Sequence, residues 1–216
     1  MKVLDTNLQD VKIIEMAVFG DHRGFFTESY TKEKFLEAGI IIDFIQDNHS
    51  LSVEPGVLRG MHFQTLEKAQ TKLVRATTGV IYDVIVDMRV GSPTYGQWEG
   101  YILSEFNHRQ LLVPKGFAHA FVTLTPNCNV QYKVDEYFSS EHDGGIAFDD
   151  PALNIQWPMP IDKLVLSEKD TKHPKLAEFN NPFVYKKFKL GDICNEKYDC
   201  YWWSRFYWFK FCPLCS

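Results

Sequence analysis

Ten short runs rich in β-branched and aromatic residues, each ended by a turn signal, constrain this chain more than any other feature. They fall at residues 11–18, 24–30, 44–53, 57–63, 72–77, 80–88, 98–104, 110–113, 119–124 and 129–137. Glu54-Pro55-Gly56, Gly91-Ser92-Pro93 and Thr125-Pro126-Asn127 are among the breakers between them. Within 80–87, Ile81, Asp83, Ile85 and Asp87 alternate with Val80, Tyr82, Val84 and Val86, which gives one apolar and one mixed face. One helix is predicted at 31–38, with Thr31 as cap and Gly39 as stop. Many closely spaced strands with a single early helix predict an all-β antiparallel sandwich or barrel, and a jelly roll is the favoured closed form. There is no internal repeat.

The chain has 216 residues, 45% of them hydrophobic, enough for one substantial core, and no Pro/Gly/Ser-rich linker divides the first 185. One domain at 1–185 is expected. A net charge of -5 supplies no basic stripe for a nucleic-acid backbone, while a small anion needs only a few local arginines and lysines. No apolar run is long enough to cross a membrane, and the opening MKVLDTNLQD lacks the basic-then-apolar order of a secretion signal, so a cytosolic chain with reduced thiols is expected. Residues 186–216 differ in composition: Cys194, Cys200, Cys212 and Cys215 sit among Trp202, Trp203 and Trp208. The spacing from Cys194 to Cys200 is poor for a zinc ribbon. This tail is either an appendage packing on the body or a partner, or a disordered or anomalous end, and no function is built on it.

In the run LRGMHFQ at 58–64, a permanent cation and a titratable imidazole stand three residues apart in apolar surroundings. A regular strand would point Arg59 and His62 to opposite faces, whereas a kink or bulge at Gly60 would aim both into one cavity. The predicted inward set also holds Gln46, Asn48, His49, Lys72, Asp83, His119 and Tyr132. Each buried polar group needs a partner, and a buried cation costs several kcal/mol unless paired. Nine such residues read as the lining of one cavity, the usual place for a site inside a barrel.

Six ordered motifs then carry a resemblance: FGDHRGFFTESY (19–30), FIQDNHS (44–50), VLRGMHFQ (57–64), KLVRATTGVIYDVIVDMRVGSPTYGQW (72–98), PKGFAHAFVTL (114–124) and LSEKD (166–170). Over approximately 11–176 the chain resembles the dTDP-4-dehydrorhamnose 3,5-epimerases, cofactor-free enzymes of dTDP-L-rhamnose synthesis with a cupin-type double-stranded β-helix. The resemblance implies His62 as base, Asp170 as its orienting carboxylate, Lys72 as the ammonium that steadies an enolate oxygen, and Tyr132 as the acid on the opposite face. It places His119 near the sugar and Arg59 on the diphosphate, with Arg23, Glu28, Gln46 and Asn48 lining the approach. Tyr137 and Phe138 match an aromatic pair near the thymine, although Phe138 stands where tyrosine is usual and Ser140 where proline is common. Family members are dimers whose strands pair across the interface, which would let Arg23 come from the neighbouring subunit. No cofactor and no metal are implied.

These residue types suit the chemistry. Inverting a carbon beside a ketone requires a base, an oxyanion stabiliser and an opposed acid. A metal-dependent cupin would want several imidazoles beginning with two histidines one residue apart, but Gly60 and Gln64 flank His62 at those positions. A module that only binds sugar nucleotides would have no use for His62, Asp170 and Tyr132 together. An epimerase acting at a single carbon fits the same residues. His22, His108, His142 and His173 are expected to be solvated, Asp83 and Asp87 to be hydrogen-bonded structure, and Trp98 and Trp157 to be core or interface aromatics.

Overall fold

The computed structural model describes Met1–Tyr185, and the Cys- and Trp-rich tail lies outside the described residues. The strands are β1 Lys2–Asp5, β2 Lys12–Glu15, β3 Val18–Asp21, β4 Gly24–Thr27, β5 Gln46–Ser52, β6 Leu58–Gln64, β7 Lys72–Thr78, β8 Val80–Asp87, β9 Trp98–Ser104, β10 Arg109–Val113, β11 Phe117–Thr123, β12 Cys128–Val134 and β13 Asp143–Gly145. One helix, α1 Lys32–Glu37, lies where it was expected. Thr31 occupies the cap position without a side-chain bond, and Gly39 ends the helix at φ +78°.

Two antiparallel sheets face one another, in the orders β1-β2-β10-β7-β12-β5 and β13-β6-β11-β8-β9, and β3-β4 forms a separate hairpin. This is the all-β jelly-roll architecture the turn spacing predicted. Two strands lie outside the predicted runs: β1 pairs with β2, and the DGG of β13 pairs with β6. Each is an edge strand held by the backbone hydrogen bonds that its neighbour offers.

The two sheets enclose one core between them, and each carries a further cluster on part of its outer face. Between them lie Val74, Leu111, Val113 and Val130 from one sheet and Ile81, Ile85, Phe117 and Phe121 from the other. Outside the five-stranded sheet, Val84, Val86, Ala118 and Ala120 pack under Ile146, Phe148 and Leu153. The mixed face expected for 80–87 is therefore the inward one, and its two aspartates are wholly buried. Outside the six-stranded sheet, Phe35 of α1 joins Ile14, Leu73 and Leu112. Trp98 and Trp157 are outer-core aromatics whose indole N–H groups donate to the Leu153 and Phe148 carbonyls.

Candidate active site

The bulge that Arg59 and His62 require is present. His62 stands opposite His119 and Arg59 opposite Phe121, so three steps along β6 match two along β11. One extra residue restores the phase, and both side chains face inward. Gly60 sits at φ +142°, and a Cβ built there would lie 2.3 Å from the Ala120 Cβ. Only glycine allows that approach.

From the other sheet, Lys72 and Tyr132 face His62 across the gap. Tyr132 is registered with Val74 and Asn48, and Lys72 with Val134 and Val113, so alternation puts Lys72, Val74 and Tyr132 on the inner face. A cavity of about 470 Å³ results, lined among others by Arg59, His62, Lys72, His119, Tyr132 and Asp170.

Asp170 arrives from the segment after β13. Val165 bridges to Val57 and exchanges backbone bonds with Gly56 and Leu58, while the Pro174 carbonyl accepts from Ala147 N–H. Held at both ends, this segment presents Asp170 Oδ1 at 2.7 Å from His62 Nε2. The carboxylate is 4% exposed, so its charge is little screened by water. With Nε2–H donated to Asp170, the His62 Nδ1 lone pair is left for the cavity. Burial pushes the imidazole below its ordinary pKa against the opposing pull of Asp170, so it is neutral at pH 7.

Lys72 is 9% exposed, and its ammonium makes no hydrogen bond to a side chain among the described residues. Burial pushes it down to about 8, with Asp83 and Asp143 acting against that shift. A cation kept dry and without a direct partner is primed to meet an anion that develops during a reaction. Asp83 accepts from His119 Nε2, at 2.9 and 3.0 Å to its two oxygens, and is structural as expected. Asp87 is tied to Arg89, Ser92 and Thr94. Burial raises the Tyr132 phenol, and the positive Arg59 pulls the other way. Arg59 itself reaches across to β5, donating to Ser52 Oγ and the Leu51 carbonyl at 3.2 Å each, with its residue exposed at the mouth.

The remaining residues spread outward. Gln46 and Asn48 share the inner row of β5 and are bonded to each other, and Gln46 Oε1 accepts from the Phe138 N–H. Tyr137 and Phe138 are exposed and stand outside the cavity lining. Arg23 and Glu28 do not reach the cavity of their own chain: Arg23 pairs with Asp21 in the β3-β4 hairpin, and Glu28 pairs with Lys34. Three of the four histidines expected to be solvated are packed or hydrogen-bonded instead. His108 packs on Phe25, His142 bonds Ser139, and His173 is buried behind Asp170 with its Nε2 unpartnered. Ser50, whose buried Oγ also lacks a partner, lines the cavity and was not singled out in the sequence. It belongs to the same alternating row as Gln46 and Asn48, which could have revealed it.

A sequence model of the family described as dTDP-4-dehydrorhamnose 3,5-epimerase matches residues 5–178. The chain is 47% identical over 181 residues to the dTDP-4-dehydrorhamnose 3,5-epimerase of Sinorhizobium fredii (strain NBRC 101917 / NGR234), covering 84% of this chain and 92% of the relative. It is similar to the crystal structure of dTDP-4-dehydrorhamnose 3,5-epimerase from Bacillus anthracis str. Ames with TDP and PPi bound: identity is 55%, TM-score 0.78, and coverage 81% of this chain and 98% of that one. The dTDP-6-deoxy-D-glucose-3,5-epimerase from Legionella pneumophila Philadelphia 1, in complex with dTDP-4-keto-L-rhamnose, is 41% identical with a TM-score of 0.82, covering 86% of this chain and 99% of that chain.

Proposed function

This chain belongs to the dTDP-4-dehydrorhamnose 3,5-epimerase family, and we propose that it converts dTDP-4-dehydro-6-deoxy-D-glucose to dTDP-4-dehydro-L-rhamnose with His62 as base and Tyr132 as acid. It is an isomerase of dTDP-sugars. The observation that supports this assignment of roles is that His62 and Tyr132 stand on opposite sheets, with the Lys72 ammonium, which has no side-chain hydrogen bond among the described residues, on the same sheet as Tyr132. His62 Nδ1 removes the proton beside the 4-ketone, and Asp170, accepting from Nε2, stabilises the imidazolium that forms. The enolate oxygen gains the charge of Lys72. Tyr132 then gives its proton to the other face, and the nearby Arg59 favours the transient phenolate. None of these steps needs a cofactor.

Arg59 at the mouth serves the diphosphate, since a guanidinium matches two phosphate oxygens at once. His119 contacts the sugar. The inner row Asn48, Gln46 and the adjoining Tyr137 and Phe138 form the track toward the thymine, where an exposed ring can stack. Arg23 and Glu28 complete the mouth of a second copy's cavity in a homodimer. Their hairpin exposes Phe19, Phe25 and Phe26, each more than 60% accessible, which supports docking on such a copy. No helix among the described residues is long and apolar enough to cross a membrane, and the site is assigned to the cytoplasm.

The test is incubation of the purified protein with dTDP-4-dehydro-6-deoxy-D-glucose in heavy water while the sugar protons are followed by NMR. Deuterium entering at both C3 and C5 with inversion supports the double epimerase. Exchange at one carbon makes it a mono-epimerase, and binding without exchange refutes catalysis.

A further inference from the structure

Behind the His62–Asp170 pair stands a third group that the epimerisation does not use. His173 lies three residues after Asp170, across the 3-10 turn Asp170–Lys172, and its ring meets the His62 ring edge to face at 5.7 Å. Its side chain is 9% exposed and its Nε2 is 3.8 Å from Asp170 Oδ1, too far for a hydrogen bond and without any other partner among the described residues. The ring fits there because Gly145, the cross-strand neighbour of His62, has no side chain: a Cβ at Gly145 would come within 2.6 Å of His173 Nε2. One ligand atom from each of His62, Asp170 and His173 falls within 4.8 Å of the others.

We infer that His62, Asp170 and His173 form an inhibitory site for a borderline transition-metal ion such as Zn²⁺. The donor set is two imidazoles and one carboxylate, which suits zinc, nickel or copper and is poor for magnesium or calcium. Tetrahedral bonds of about 2.0–2.2 Å set zinc ligand atoms roughly 3.3–3.6 Å apart, so the 2.7 Å contact of His62 with Asp170 must open and the 3.8 Å from His173 to Asp170 must close, each by less than about 1 Å, and the substrate cavity offers room for a water as fourth ligand. Lys72 and Lys169 lie close enough to His62 to oppose a cation, which keeps the site a regulatory one of moderate affinity.

The consequence rests on the proposed role of His62 as base. A metal on His62 Nε2 displaces the proton that Nε2 now donates to Asp170, and the neutral ring must then carry its proton on Nδ1. The atom that should accept the substrate's proton becomes an N–H donor, and Asp170 is diverted to the metal. Zinc therefore switches the base off while leaving Lys72 and Tyr132 in place.

The experiment compares the full chain, stripped with chelator, with His173→Gln and His173→Phe, the second variant guarding against a packing defect in the first. Zinc is titrated by calorimetry, and turnover of the 4-keto sugar nucleotide is followed across the same range. The wild-type chain is expected to bind one more zinc ion than either variant and to be half-inhibited at a zinc concentration at least tenfold lower, with activity restored by chelator. The C-terminal cysteines are common to all three proteins and cancel in the comparison. Equal stoichiometry and equal inhibition overturn the inference. A wild-type chain with no turnover before zinc is added refutes the epimerase reading instead, and the stoichiometry still decides the site.

Discussion

Replacing Gly60 by alanine should damage both fold and catalysis, and the size of the effect follows from two separable terms. The first is conformational: φ of +142° belongs to a region almost closed to residues with a Cβ, at a cost of roughly 1–3 kcal/mol. The second is steric. The new methyl would lie 2.3 Å from the Ala120 Cβ, 2.6 Å from its Cα and 2.8 Å from the His119 carbonyl oxygen. These atoms belong to β11 in the middle of the sheet and cannot swing aside, so overpacking adds roughly 1–3 kcal/mol. The total, about 2–6 kcal/mol, lowers Tm by on the order of 5–20 °C for a domain of this size. Gly91→Ala is the control, because Gly91 has φ of +86° but open space around its missing side chain and so reports the first term alone. Displacing β6 from β11 also moves His62 and Arg59, and a shift of about 1 Å at a catalytic group costs on the order of 100-fold in rate. Thermal and denaturant unfolding, with turnover measured at a temperature where the variant is folded, read both effects. If Gly60→Ala is no less stable than Gly91→Ala and turns over normally, the bulge does not position the site.

Four further outcomes are expected. His62→Asn should keep the circular dichroism and Tm of the parent while losing about 10²–10⁴ in kcat, the usual share of a general base; near-normal turnover would remove His62 from that role. Tyr132→Phe should still exchange substrate protons with heavy water yet invert poorly, and loss of exchange as well would mean that the two roles are not divided in this way. The profile of kcat/KM should fall below the ordinary imidazole range, as His62 protonates, and again above about pH 8, as Lys72 loses its charge; an alkaline limb that survives in a residually active Lys72→Met variant would exclude Lys72 as its source. The same lysine destabilises the fold at neutral pH. Its folded pKa, about 8, lies below the ordinary 10.5, so the unfolded chain binds more protons between those values and stability rises with pH across that window. Below it the cost is roughly 3 kcal/mol, from 1.36 kcal/mol per unit, and Lys72→Met should recover on the order of 1–3 kcal/mol at pH 7 in denaturant unfolding. A variant no more stable than the parent would show that the ammonium is not strained by burial.

Most of the strands were legible because side-chain alternation and turn residues are local properties. The runs at 72–77, 80–88 and 98–104 match β7, β8 and β9 to within one residue at each end. The single predicted run 11–18 instead contributes to two elements, β2 and β3. Arg59 and His62 could be read as facing one cavity only on condition of an irregularity at Gly60, and glycine is the one residue in that run able to provide it.

The sequence by itself determined the alternation of strands and turns, the glycine that lets β6 bulge, and the inward row of polar residues except His49, which alternation with Asn48 turns to the exposed outer face of β5, where it bonds Asn129; each depends on residues near one another in the chain. Only the tertiary structure decided which groups touch. Asp170 meets His62 across a separation of 108 residues because Val165 is tied to Gly56 and Leu58 at the start of β6, and Pro174 to Ala147 just after β13. His173, expected in solvent, lies buried against the same carboxylate because Gly145 leaves it room. β13, the segment DGG, exists because the edge of β6 supplies its hydrogen bonds, not because its residues favour a strand. Burial, which lowers His62 and Lys72 and raises Tyr132, is likewise a property of the closed barrel. Desolvation depends on everything packed around a group, and no local pattern of residues encodes that surrounding.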